Sequence, residues 1–382
     1  MKSNWDFVSL GSVAHIYNGN SINAEYKKKH FLGVDKGYPF IATKDGGFNG
    51  FIDYENGVKI PFDTDYKVAD SDSVFICAEG GSAGKKIGYV TQQVCFGNKL
   101  FCIKPKQNIL KGKYIYYYLQ SVFFQIQFQS LLTGLIGGVS ASKFKNISIL
   151  VPSLSEQERI VSLLDLEFAK IDAIKANAEK QLQDAKDLFQ SALKDLLTPK
   201  EGWKSSKFGD VCEYYKEHGK WVNINYIGLE NIDAHTGRLI DYKSSNEVES
   251  STFKFNKGDV LYGRLRPYLQ KVIIAPFDGC CSTEIFPIKS NAINNVYLKF
   301  WLLSDAVMDI MNESCSGCRM PRANMNSFKE EYIQYPSEQE QIIIANKLVD
   351  LQNKIGEIQL HYEQTIILCN DLKQSILKDI FG

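Results

Sequence analysis

The chain has 382 residues, 44% hydrophobic and 23% charged, the balance of a soluble globular protein with room for two or more domains. No apolar run reaches the ~20 residues a membrane-spanning helix needs, and the start, Lys2-Ser3-Asn4-Trp5-Asp6, has no apolar signal stretch, so a cytoplasmic protein is expected. The net charge of zero excludes a uniformly basic coat but sums unlike parts: residues 1–152 carry 17 lysines, no arginine and 11 acids, residues 200–336 carry 17 charges of each sign, and residues 153–199 and 337–382 are acidic.

The first segment opens Trp5-Asp6-Phe7-Val8-Ser9-Leu10-Gly11-Ser12-Val13. Short apolar runs follow, broken by turn signals at Asp45-Gly46-Gly47, Asn49-Gly50, Asn56-Gly57 and Glu79-Gly80-Gly81, which predicts mainly strands with tight turns. A short helix is expected at Lys113–Leu119. Pro152, a serine and then Glu156-Gln157-Glu158 announce a long capped helix. Its apolar residues Leu164, Phe168, Ile171, Ala178, Leu182, Ala185, Phe189 and Leu196 recur near every 3.5 residues, a coiled-coil seam.

The same order then returns. Trp203-Lys204-Ser205-Ser206-Lys207-Phe208-Gly209-Asp210-Val211 shares W-x4-[LF]-G-x-V with the start. Lys257-Gly258-Asp259 and Asp278-Gly279 mark turns, and Val296–Leu302 is a second short helix. Pro336-Ser337-Glu338-Gln339-Glu340 opens a second long helix, with a seam at Leu348, Leu351, Ile355, Ile358, Tyr362, Leu372 and Ile376. Gln190-Ser191-Ala192-Leu193-Lys194-Asp195 recurs as Gln374-Ser375-Ile376-Leu377-Lys378-Asp379. An internal duplication is the economical reading. It predicts an α+β fold in four parts: a globule at 1–152, a helix at 153–199, a globule at 200–336 and a helix at 337–382. Globule–helix–globule–helix order favours two antiparallel helices, a rod of roughly 60 Å with pseudo-two-fold symmetry. Two related readers at a fixed separation suit a bipartite DNA target with an unread spacer.

These motifs resemble the specificity subunits of Type I restriction–modification enzymes. The W-x4-[LF]-G-x-V starts look like the openings of that family's two target-recognition domains. So does Lys257-Gly258-Asp259-Val260-Leu261-Tyr262-Gly263-Arg264-Leu265-Arg266-Pro267-Tyr268-Leu269, with Cys281-Ser282-Thr283-Glu284 downstream. Ser71–Ile76 and Cys95-Phe96-Gly97-Asn98 echo these in the first half, and Phe144–Ile147 and Phe328–Glu331 fit the domain ends. The resemblance implies a chain without a catalytic centre, in which each domain reads half of a split sequence on double-stranded DNA. Its helices would act as ruler and as docking surface for two modification (methyltransferase) subunits, with restriction (endonuclease and translocase) subunits joining them. S-adenosylmethionine, ATP and magnesium would belong to those partners. The sequence contains neither G-x-x-x-x-G-K-[ST] nor the Asn/Asp-Pro-Pro-aromatic tetrad. A single-chain methyltransferase or nuclease, or a coiled-coil scaffold unrelated to DNA, are the alternative classes.

Candidate DNA contacts in the first half are Lys44, Ser82, Lys85, Lys86, Asn98 and Lys99. The Gly80–Lys86 loop is either a phosphate cradle of glycine amides and lysines or a solvated turn. In the second half the candidates are Tyr262, Arg264, Arg266, Arg319 and Arg322. Arg264 and Arg266 alternate about Leu265 on an expected strand end, so both should project outward while Leu265 points in. The cluster Tyr114, Tyr116, Tyr117, Tyr118, Phe123, Phe124 and Phe128 is read as helix core rather than a stacking platform. The five histidines, and the nine cysteines including Cys315-Ser316-Gly317-Cys318, are read as structural, with no metal site.

Overall fold

A computed structural model describes residues 5–44, 51–55, 57–133, 137–315 and 319–382. The expected turns at 45–50 and at Asn56, and residues 316–318 of the paired-cysteine motif, lie outside the described residues. The chain forms two compact units, one of residues 1–177 with 365–382 and the other of residues 178–364.

In the first unit, Ala14–Asn18, Leu100–Pro105, Val74–Cys77 and Ile87–Tyr89 form an antiparallel sheet in that order. A second sheet runs Lys59–Ile60, Tyr38–Ile41, Val94–Phe96, Val68–Ala69, with its one parallel step between Tyr38–Ile41 and Val94–Phe96. Asp6–Ser9 pairs with Ser148–Val151, tying the start of the globule to its end. The second unit repeats this plan. Its antiparallel sheet runs Cys212–Tyr214, Ile285–Ser290, Val260–Gly263, Val272–Ile274. Its other sheet holds the same parallel step, between Asn225–Ile227 and Gly279–Ser282, and Lys204–Lys207 closes on Tyr332–Tyr335. The duplication read from short motifs is thus a duplication of strand order.

One short helix anchors each core, Gly112–Gln120 in the first unit and Asn295–Leu302 in the second. Tyr114, Tyr117, Tyr118, Phe124 and Phe128 are buried, and Tyr116 and Phe123 pack against them, so the aromatic cluster is core as expected. Seven of the described cysteines are buried free thiols. Burial pushes Cys95 and Cys102 up to about 11, which keeps both protonated at neutral pH. Among the described residues no helix is long and apolar enough to cross a membrane, and no His/Cys/Asp/Glu cluster could hold a metal ion.

The long helices are Leu154–Leu197 and Glu338–Phe381, 44 residues each. Ser153 Oγ accepts the Glu156 amide at 3.3 Å and Ser337 Oγ the Glu340 amide at 3.4 Å, so both caps form. In the first unit the two helices run antiparallel: Lys373 Nζ lies 2.5 Å from Asp172 Oδ1, and Lys175 Nζ lies 3.2 Å from Asn370 Oδ1. The first seam is largely where periodicity puts it, with Leu164, Phe168, Ile171, Ala178, Ala185 and Phe189 buried, but at its end Leu193 and Leu197 are buried in place of Leu196. The second departs more: Ile358 and Leu372 are exposed, whereas Ile344, Ala345, Cys369, Leu377 and Phe381 are buried. The reason is that the globules compete for the helix faces. Phe381 packs edge-on against Tyr114 and Tyr118, so burial follows the globule as well as the partner helix.

The sequence aligns the two Glu-Gln-Glu openings, but the structure sets a different register. Gln157 corresponds to Gln341, not to Gln339. Gln157 is fully buried; it donates to the carbonyls of Ile109 and Pro152, both at 2.9 Å, and accepts the Lys111 amide at 3.0 Å. Gln341 is buried likewise; it donates to Pro336 O at 3.0 Å and Ala292 O at 3.5 Å, and accepts the Asn294 amide at 2.7 Å. Each glutamine locks the first turn of a long helix to the loop before the short core helix. Truncation leaves buried main-chain groups unpaired, so Gln157→Ala and Gln341→Ala should each cost about 1–3 kcal/mol in denaturant unfolding. Glu158→Ala, at an exposed neighbouring position, should change stability far less.

Candidate nucleic-acid interface

The strand Val260–Gly263 is buried along its whole length. Tyr262, expected at the interface, is 2% exposed and sits in the core of its unit, so it has no surface to offer a ligand. The strand also ends before the arginines. Leu265 forms an isolated bridge with Arg322, and Arg266 takes a left-handed conformation at φ 53°, capping the 3-10 turn Pro267–Leu269. Period-two alternation therefore stops at Gly263: Arg264 is partly buried, Leu265 is half-exposed rather than inward, and Arg266 is exposed.

Three separate loops meet here. Arg264 donates through Nε to Glu284 Oε2 at 2.8 Å, and Arg322 donates through Nε to Glu284 Oε1, also at 2.8 Å. The side chains keep 32%, 39% and 20% exposure for Arg264, Arg322 and Glu284, so the trio sits in a shallow surface position. Burial pushes the Glu284 carboxyl up, but the Arg322 and Arg264 guanidiniums outweigh it and hold the group below its ordinary value. Arg264 also lies 5.3 Å from the Phe286 ring centroid, which further fixes it. Arg322 Nη1 reaches Met320 O at 3.3 Å. Arg319 is exposed on the same loop. The structure thus groups Arg264 with Arg322, where the sequence grouped Arg264 with Arg266. Glu284 stood inside a motif noticed for its resemblance alone, and no local pattern links residues 20 and 38 apart.

In the first unit most amides of the Gly80–Lys86 loop are already engaged. The Gly80 amide donates to Gly137 O, Ala83 to Gly80 O, Gly84 to Cys77 O, and Lys85 and Lys86 to Ser82 O, so five of the seven loop amides are spent on carbonyls. Gly84 is demanded by packing: φ is +73°, and a Cβ there would lie 2.6 Å from the Phe128 ring. Lys86 is half-buried, and its Nζ donates to Thr43 O. Lys271 does the same in the second unit, donating to Leu229 O at 2.6 Å, so this lysine is a repeated structural tie rather than a surface cation. Lys44, Lys85, Asn98 and Lys99 are exposed and Ser82 half-exposed. Lys99 Nζ lies 3.4 Å from Glu79 Oε1. Beside that ion pair, Asn18, Glu79, Asn98, Thr133 and Ser140 line an open polar cleft of about 380 Å³.

Comparison with known proteins gives these two sites a setting. The family described as the Type I restriction modification DNA specificity domain matches the chain twice, at residues 2–184 and 200–376. The chain is 26% identical over 373 residues to the Type I restriction enzyme EcoDI specificity subunit of Escherichia coli, covering 83% of this chain and 84% of that protein. It is 22% identical over 397 residues to the MjaVIII specificity subunit of Methanocaldococcus jannaschii, covering 93% and 88%. Its fold is similar to a chain solved in work on assembly and conformational transition of the type I R-M system, with TM-score 0.74 at 16% identity over 98% of this chain and 97% of that one. The HsdS subunit of Thermoanaerobacter tengcongensis is similar at TM-score 0.52 and 16% identity, over 100% and 97%. With two domain matches that together span nearly all of its length, this chain belongs to the Type I restriction–modification specificity family.

Proposed function

We propose that the chain is the non-catalytic specificity subunit of a Type I restriction–modification enzyme. On this reading residues 1–152 and 200–336 each read one half of a split sequence on double-stranded DNA. The single observation that carries it is the twofold match of a DNA specificity domain onto two globules of one strand order. The exposed faces of the two long helices would take the modification subunits, and restriction subunits would join them. S-adenosylmethionine, ATP and magnesium would be bound by those partners. The test is binding of the assembled complex to duplex DNA across a salt series, with methyl transfer by the purified chain assayed in parallel. Salt-dependent binding by the complex and no transfer by the chain alone is the expected pair. Transfer by the chain alone would make it a single-chain enzyme, and absence of salt-dependent DNA binding by the complex would favour a scaffold unrelated to DNA.

The two loop lysines should separate in that assay. Lys85 is exposed and Lys86 is tied to Thr43, so only Lys85 is placed to neutralise a phosphate. Lys85→Ala should reduce the slope of log K against log salt by about one, whereas Lys86→Ala should lower stability and leave the slope alone. An unaltered slope in Lys85→Ala removes this loop from the DNA.

A further inference from the structure

The two candidate sites occupy one main-chain lattice. In the second unit, Gly263 N donates to Lys271 O at 2.9 Å, Arg264 N to Glu284 O at 2.9 Å, Ala323 N to Arg264 O at 2.9 Å and Arg266 N to Pro321 O at 2.8 Å. In the first, Cys77 N donates to Lys86 O at 2.9 Å, Ala78 N to Lys99 O at 2.8 Å, Val139 N to Ala78 O at 3.0 Å and Gly80 N to Gly137 O at 2.8 Å. The isolated bridges match as well, Leu265 with Arg322 and Glu79 with Gly138. Ala78 therefore stands where Arg264 stands, Gly80 where Arg266 stands, Gly138 where Arg322 stands, and Lys99 where Glu284 stands.

The side chains on this common lattice differ in sign and size, while structural positions around it keep their chemistry. Tyr114 and Tyr297, Lys86 and Lys271, and Gln157 and Gln341 retain both residue and role. A lattice held by main-chain bonds fixes where each Cβ points whatever residue it carries. That is the requirement on a surface that must change its ligand without changing its fold.

The geometry points to this lattice as the base-selecting position of each half, with Glu284 the positioning residue of the second half and Lys99 its counterpart in the first. The inference rests on the specificity-subunit reading and adds where selection happens. Glu284 spends one oxygen on the Nε of each arginine, so Arg264 keeps its terminal nitrogens for a planar acceptor pair. Guanine presents such a pair in the major groove at O6 and N7. A carboxylate between two guanidiniums reduces the charge of the trio to a single net positive and so weakens its attraction for phosphate. It therefore suits directional contact with a base edge better than backbone attraction. In the first half the same place offers Lys99, Glu79 and Asn98, a different set of donors and acceptors for a different half-site.

The test uses the full chain assembled with its partners and duplexes carrying the methylated motif, altered in one half-site at a time. Glu284→Gln replaces one acceptor by a donor that faces an arginine N–H, and Arg264→Lys keeps the charge while removing the fork. Each should lower the preference for the intact second half-site about tenfold, the size of one bidentate base contact, and leave the first half-site preference unchanged. Lys99→Ala should do the converse. A ratio between matched and altered duplexes is insensitive to a mere loss of folded protein, and unfolding midpoints of the same variants control for it. Unchanged preference in both Glu284→Gln and Arg264→Lys overturns the inference, as does an equal weakening on every duplex, which marks phosphate contact. Either result leaves the specificity-subunit reading intact. That reading fails separately, if exchanging all of residues 200–336 leaves the recognised sequence unaltered.

Discussion

Replacing residues 1–152 with the first recognition domain of another family member should rewrite one half of the methylated sequence and leave the other half as it was. The globule closes on itself, because Asp6–Ser9 pairs with Ser148–Val151 beside the helix start. Its joint with the long helix is generic where Gln157 acts, since all three partners of that side chain are main-chain groups. It is specific at side-chain contacts such as these: Tyr117 donates to Asp165 and stacks edge-on with Phe168, Lys113 pairs with Asp165 at 2.7 Å, and Tyr114 and Tyr118 meet Phe381. A donor domain with aromatic residues at the positions of Tyr114 and Tyr117 should assemble fully. One lacking them leaves a void against Phe168 and Phe381, at the ~3–5 kcal/mol of a large aromatic truncation, and should assemble poorly. Mapping of methylated adenines checks both statements. A change in both half-sites from one exchange would contradict independent reading.

Matched insertions of four residues after Gln181 and after Thr365 should move methylation to sites whose spacer is longer by about two base pairs. Both long helices pass from one compact unit into the other at these places. Four residues add ~6 Å of helix, and DNA rises ~3.4 Å per base pair. Four residues are also close to one helical turn, so the apolar stripe resumes near its original azimuth. An insertion in one helix alone slides Lys175 and Asp172 away from Asn370 and Lys373 and should weaken folding rather than lengthen the spacer. The readout is the spacer in the methylated motif; an unchanged spacer with the matched pair rules out the helices as a ruler.

Much of the fold was legible because its signals are local. Serine caps, glycine turns and a seam of apolar residues each act within one or two helical turns, and their recurrence exposed the duplication. Legibility ended where burial on two sides or contact at long range decides the outcome. Tyr262 belongs to a strand covered on both faces, so alternation carries no information there. The arginines beyond it are placed by Glu284 and by a bridge to Arg322, partners that no spacing rule reaches. The Gly80–Lys86 loop has the composition of an anion nest, yet five of its seven amides close on carbonyls of the loop and its neighbours. Ile358 and Leu372 fit the heptad period but lie on a face that neither helix nor globule covers.

The central claim, that one chain carries two separate readers of one DNA target, is tested most directly by mapping methylated adenines across the host genome with the chain present, deleted and restored. The account predicts that a single motif of two short defined halves around an unread spacer is methylated with the chain, loses methylation without it and regains it on restoration. Methylation that persists in the deletion strain, or a lost motif that is one continuous block, would contradict it.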